Sequence, residues 1–255
     1  MTTLILSVGT SLLVNARKDL HPAPAKAKKD ATPALLTVED LVAWLRTQDL
    51  TRASAETHTL LRLPVQAGDR LAWLHSDTPD GVHCADALHQ YYGQQGYAST
   101  LHRIAGLNNN NEAAFVEHGL RALVSTAMAV MAQAGGPANV RILATGGFKA
   151  EIAYLNLIGI LNNVEVVYLH ELFHQVVVLP RLPLDWHTDW VDEHRDFFQA
   201  LNSKTGLPPA SVEEYIARHA GLPTMPPLLV NEAGHMRLSA AGIALYQAYL
   251  GRLAR

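Results

Sequence analysis

At 255 residues, 49% hydrophobic and 17% charged, with a formal net charge of −3, the chain has ample material for a core and no global nucleic-acid signature. The single cysteine, Cys84, excludes an internal disulfide and gives no metal-ligand spacing, so a reducing cytoplasm is the expected setting. Apolar runs such as Leu4–Val8 and Val164–Leu169 are too short to span a bilayer, and no signal-like start precedes them, so neither membrane insertion nor secretion is expected.

Strand-like runs are predicted near 3–8, 70–74, 98–102, 140–145 and 164–168. Their alternation with helical patterns predicts an α/β fold, a Rossmann-like doubly wound, mostly parallel sheet, over residues 1–183. Thr3-Leu4-Ile5-Leu6 runs into the turn Ser7-Val8-Gly9-Thr10-Ser11. Residues 17–33 then break the pattern: Arg17, Lys18, Lys26, Lys28 and Lys29 mixed with Pro22 and Pro24 predict a mobile loop, either a solvated tether or a basic flap over a polyanion. Thr37-Val38-Glu39-Asp40 reads as a capping box opening a helix through about Arg46, and Ser54 as the cap of a helix carrying Leu60 and Leu61.

Residues 111–134 give the clearest helix, with Phe115, Leu120, Leu123, Ala127, Val130 and Met131 at helical spacing and Gly135-Gly136-Pro137 as the stop. Val140 to Ala144 leads into a second turn, Thr145-Gly146-Gly147-Phe148-Lys149. Composition shifts near Leu179-Pro180-Arg181-Leu182-Pro183, and residues 184–255 form a predicted small helical, winged-helix-like domain. It comprises helices over 189–202 and 211–219, strands at 228–230 and 235–238 joined by Asn231-Glu232-Ala233-Gly234, and a last helix over 239–253. Six Lys/Arg against seven Asp/Glu in residues 187–255 argue against a DNA partner and for dimerisation or packing on the first domain.

Function concentrates in the two glycine turns. Each ends a predicted parallel strand, where helix N-termini collect and anions bind, and the second adds a lysine that can meet phosphate directly. Neither turn completes GxGxxG or the P-loop pattern, so a dinucleotide or nucleoside-triphosphate assignment lacks its defining residues. His170-Glu171-Leu172-Phe173-His174 matches HExxH, but its flanks are β-branched and leave about one turn for the helix a zinc site needs. Arg181 and His187 show an Arg-x5-His ribonuclease spacing that Pro183 interrupts.

Five stretches, namely Leu6–Leu13, Ala53–Glu56, His75–Pro79, Thr145–Glu151 and His170–Phe173 leading to Leu179–Pro183, give the chain its family likeness. Over roughly residues 2–183 it resembles the CRISPR-associated Rossmann-fold (CARF) proteins that sense cyclic oligoadenylates, and among them the standalone ring nucleases of type III systems. The resemblance implies a homodimer that lays cyclic tetra-adenylate across its two-fold axis and cuts it by attack of a ribose 2′-hydroxyl, with no metal or other cofactor. Ser11 would bond the scissile phosphate or orient the nucleophile, and Lys149 would neutralise charge on the non-bridging oxygens.

Gly9, Thr10, Thr145, Gly146, Gly147 and Phe148 belong to the implied ligand-binding turns, the glycines supplying close approach and backbone N–H groups. Ser54, Glu56, Asp77 and Asn108 to Asn111 are candidates for adenine or ribose contacts, although caps and turns account for Ser54 and the asparagines equally well. The alternative is a non-catalytic sensor that signals through its C-terminal domain. An unrelated nicotinamide- or metal-dependent enzyme is a third class.

Overall fold

β1 (Thr3–Val8) lies at the centre of the sheet, and Leu4 to Val8 are all buried. A strand covered by helices on both faces loses its polar alternation and becomes a continuous apolar run. Leu4, Leu6 and Val8 enter one core and Ile5 the other. The computed structural model describes residues 1–21, 35–170, 175–182, 188–219, 222 and 226–253.

In chain order β1 is followed by α1 (Ser11–Leu20), α2 (Val38–Leu45), α3 (Leu50–Ala53), α4 (Ala55–Leu61), β2 (Arg70–Ser76), α5 (Pro79–Gln94) and β3 (Ala98–Ile104). Next come α6 (Glu112–Ala114), a π turn (Phe115–Gly119), α7 (Leu120–Gln133), β4 (Val140–Leu143), α8 (Lys149–Asn162), β5 (Glu165–Tyr168) and β6 (Val177–Leu179). The C-terminal part holds α9 (Asp189–Glu193), α10 (Arg195–Leu201), α11 (Pro209–Arg218), the hairpin β7 (Leu229–Glu232) and β8 (His235–Leu238), and α12 (Ala240–Leu253).

Among the described residues six strands form one sheet in the order β3-β2-β1-β4-β5-β6, parallel except for the antiparallel edge strand β6. The expected Rossmann-like α/β fold is therefore present. The chain winds outward from β1 to β3, then crosses back to β4 on the other side, so the topological switch lies between β1 and β4.

One face of the sheet packs Leu12, Leu41, Trp44, Leu88 and Tyr92. The opposite face packs Leu123, Val130, Leu155 and Ile158, and the same core runs on through Phe198, Leu201, Val212, Leu238 and Tyr246 of the C-terminal part. The helices and hairpin after 188 thus bury their apolar sides on the sheet domain, with α12 lying against α7 and α8.

Several expectations are refined. Arg17 and Lys18 sit in the last turn of α1, not in a loop. Asp19 and Leu20 complete α1 and His21 follows it, while residues 22–33 of the predicted basic loop lie outside the described residues. The helix over 111–134 contains the π turn; its extra residue brings Gly119 against the loop after β3, where a Cβ would sit 2.7 Å from the Gly106 carbonyl oxygen. The helix over 189–202 is two helices broken at His194. The hairpin is tighter than expected: Asn231 and Glu232 belong to β7, and Ala233 and Gly234 have φ of 51° and 84°, the pair of positive values a type I′ turn needs.

Candidate functional site

The two glycine turns meet at the switch point. Ser7 of β1 donates its hydroxyl to the Gly146 carbonyl at 2.7 Å, tying the end of β1 to the end of β4. A Cβ on Gly9 would stand 2.8 Å from the Gly147 nitrogen, and one on Gly146 would stand 2.8 Å from the Gly9 nitrogen. Close backbone approach explains glycine at both; Gly147 also has φ of 90°.

Helices begin directly after these turns. Ser11 is the first residue of α1 and Lys149 the first of α8, so their orphan N–H groups and positive dipole ends lie at the same sheet edge. α5 adds a third N-terminus there, after β2. Its cap Thr78 accepts the Gly81 N–H at 3.1 Å and bonds the Ser76 hydroxyl at 2.8 Å, with Pro79 at the first helical position.

Between these elements lies a cleft of about 560 Å³ lined by Val8, Gly9, Thr10, Ser76, Thr78, Pro79, Asp80, Asn109, Asn110, Gly147 and Phe148. A larger cavity of about 690 Å³ opens between α7, α8 and α12. It is bordered by residues that precede β4 and β5, at the amino edge of the sheet, away from the helix N-termini. The smaller cleft is the one bordered by the three helix N-termini, and the charged residue in its lining is Asp80.

Thr10 is exposed at the cleft mouth, and its side chain makes no capping bond. Ser11 lies just behind it, half-buried; its Oγ accepts the Ala55 N–H at 3.2 Å, which leaves the hydroxyl hydrogen free to donate. Lys149 is exposed beside Phe148 and has no ion-pair partner among the described residues. Neither Ser11 nor Lys149 is itself a lining residue; each adjoins one. Thr145 accepts the Thr59 hydroxyl at 3.1 Å. Asn109 and Asn110 line the cleft, whereas Asn108 accepts the Asn110 N–H and Asn111 caps α6.

Glu56 sits beneath the turns. It is 2% exposed, and its Oε1 accepts the Gly9 N–H at 2.7 Å, so that N–H points into the protein and away from the cleft. Burial pushes its carboxyl above the ordinary range, against the hydrogen bond from Gly9 that favours the charged form. Ser54 is buried as the cap of α4, accepting the Thr57 N–H at 3.1 Å. Asp77 takes Arg103 as its ion-pair partner and accepts the Gly106 N–H at 3.3 Å, which braces the loop leading to Asn109. Burial works against its charge, but Arg103 and Gly106 hold its carboxyl below the usual range.

Two contacts of the site need the fold to be known. Thr78 and Pro79 belong to a stretch that carries the family likeness, but their capping pattern gives no hint that they face the glycine turns. Phe148 meets Phe115 of the π turn edge-to-face, with ring centroids 5.2 Å apart, a contact that needs the fold to be known.

The competing motifs fall apart differently. Arg181 donates to the Ala138 carbonyl at 3.2 Å, while Pro183 and His187 lie outside the described residues. His170 is half-buried after β5; the remainder of the HExxH match, Glu171 to His174, also lies outside them. Among the described residues no helix is long and apolar enough to cross a membrane.

The fold and cleft define a Rossmann-like α/β protein with a crevice at its topological switch point. Residues 51–182, just over half of the chain, match the family model described as CRISPR-associated protein (Cas_APE2256), and the chain belongs to that family. The matched segment contains Ser54, Glu56, Asp77 and the second turn, and the first turn precedes it. No curated protein matches the chain.

Proposed function

We propose that this protein binds cyclic tetra-adenylate in the switch-point cleft as a homodimer and opens the ring without a metal, ending a type III CRISPR signal. The observation that carries this reading is the junction itself: two glycine turns in backbone contact, with a hydroxyl and an ammonium at the first positions of the two helices that leave them. Membership of a CRISPR-associated family supplies the biological setting.

In the proposed reaction the 2′-oxygen of one ribose attacks the adjacent 3′-phosphorus as the P–O5′ bond breaks. The 2′ proton leaves to solvent, the 5′-oxygen takes a proton, and the linear product carries a 2′,3′-cyclic phosphate. Because the nucleophile belongs to the substrate, the protein needs only to align it and to stabilise the charge on the non-bridging oxygens. Ser11 donates its free O–H to the phosphate and Lys149 supplies the positive charge, while Thr10 and Phe148 sit where ribose or adenine would lie. A ring of identical nucleotides with even number shares the two-fold axis of a dimer.

The test is incubation of untagged protein with labelled cyclic tri-, tetra- and hexa-adenylate, with and without chelator. Chelator-resistant opening of the tetra-adenylate ring is expected, slowed about tenfold or more in Ser11→Ala and Lys149→Ala. Absence of binding to every ring refutes the proposal.

A second reading, a sensor acting through the C-terminal part, has its own support. Phe148 of the second turn touches Phe115 of the π turn, and His118 of that turn and Arg121 of α7 pair with Glu232 of the hairpin. Tight ring binding without turnover selects this reading.

A further inference from the structure

Two buried acids lie behind the glycine turns of the cleft, and neither is itself a lining residue. Glu56 on α4 accepts the Gly9 N–H of the first turn, and Glu151 on α8 reaches back to accept the Phe148 N–H of the second at 3.2 Å. They bracket one peptide unit: a Cβ on Gly146 would stand 2.0 Å from Glu56 Oε1, and one on Gly147 would stand 2.2 Å from Glu151 Oε2. Both side chains are buried, and the remaining oxygens, Glu56 Oε2 and Glu151 Oε1, have no hydrogen-bond partner among the described residues. No cation pairs with either acid among those residues.

We propose that Glu56 and Glu151 are positioning residues of the cleft, and that it admits a phosphate ligand only while this pair retains a proton. The inference rests on the anion-binding reading of the cleft. Two ionised carboxylates with unmet lone pairs, side by side and directly beneath a bound phosphodiester, would be opposed by burial and by like charge from two directions. One retained proton removes most of that opposition and leaves an oxygen on each acid to hold its turn.

On α5, burial keeps Cys84 and Tyr92 neutral, reinforced by the Glu56 charge, pushing the thiol up to about 12 and the phenol up as well. The other ionisable group of α4 is His58, and the first residue of α8 is the exposed Lys149. Burial, reinforced by the Glu56 charge, pushes the Glu151 carboxyl up to about 8. By linkage, an anion bound above the pair raises its proton affinity, and the proton raises the affinity for the anion by the same factor.

The test has two arms. In ligand-free protein, 13C-carboxyl NMR should show a glutamate titrating above pH 7 that disappears in Glu151→Gln or shifts in Glu56→Gln; titration of every glutamate below about pH 6 overturns the proposal. In the second arm, binding of cyclic tetra-adenylate is measured from pH 6.5 to 9.5. Affinity should weaken up to about tenfold per pH unit above about pH 8, and the slope should flatten in Glu151→Gln. A slope that persists in both glutamine variants places the proton elsewhere and overturns the proposal. If the ring binds at no pH, the cyclic-oligonucleotide reading fails, and the carboxyl titration alone decides whether the pair holds its proton.

Discussion

Gly146→Ala tests the junction on which the site depends. The added methyl would stand 2.0 Å from Glu56 Oε1, 2.8 Å from the Gly9 nitrogen and 2.9 Å from the Ser7 carbonyl oxygen. Two of these are backbone atoms of the first turn, so relief requires that turn to move or the Glu56 carboxyl to be displaced. Overpacking of this kind costs about 1–3 kcal/mol, and stripping the buried Gly9 N–H of its acceptor adds about 1–3 kcal/mol. At roughly 2–4 °C per kcal/mol for a chain of this size, Tm should fall by about 5–20 °C. Thermal denaturation at pH 7, followed by circular dichroism, measures it. Gly93→Ala is the matched control: the position lies in α5 with nothing within 4 Å of the added methyl, so helix propensity should raise stability by up to about 1 kcal/mol. A Gly146→Ala protein that melts within about 2 °C of wild type would refute the contact between the turns.

Two further outcomes follow from side-chain environments. Although burial opposes its charge, Glu232 is held below the usual carboxylate range by Arg121 and Arg237. Its folded form therefore binds a proton less readily than its unfolded form, so the stability it contributes is present above its ordinary value of 4.5 and is lost as pH falls through the folded value. Urea unfolding from pH 6 to pH 3 should show a slope that is smaller in Glu232→Gln, and equal slopes would contradict the ion-pair cluster. Cys84 is fully buried with its thiol pushed up to about 12, so iodoacetamide should leave the native protein unmodified and label it stoichiometrically in denaturant. Labelling of the native protein at the rate of the unfolded chain would place Cys84 elsewhere.

Much of the fold is legible because parallel strands advertise themselves. Leu4-Ile5-Leu6 and Val140-Arg141-Ile142-Leu143 are apolar runs flanked by glycine turns, and burial on both faces is the reason for such runs. Caps are equally local: Thr37 with Asp40, and Ser54 with Thr57, close their boxes as the spacing implies. The helix Pro79–Gln94 is harder to read because Gly81 and Gly93 sit near its two ends and its apolar stripe is carried partly by Tyr91 and Tyr92. The π turn has no sequence mark at all, since its extra residue serves the packing of Gly119 on Gly106.

The sequence by itself determined the five parallel strands, the C-terminal hairpin, the starts of helices such as α2 and α4, and the two glycine turns, since each depends on residues a few positions apart. Only the tertiary structure decided what those turns do to one another. Strand order places β4 beside β1 across more than a hundred residues of chain, and that adjacency sets Gly9 on Gly147 and drives Glu56 and Glu151 beneath them. The direction of the Gly9 N–H, inward to a carboxyl, is likewise a property of the packed fold, because its acceptor comes from a helix 47 positions further along the chain. Burial, which governs whether those acids keep their protons, exists only once both sheet faces are covered.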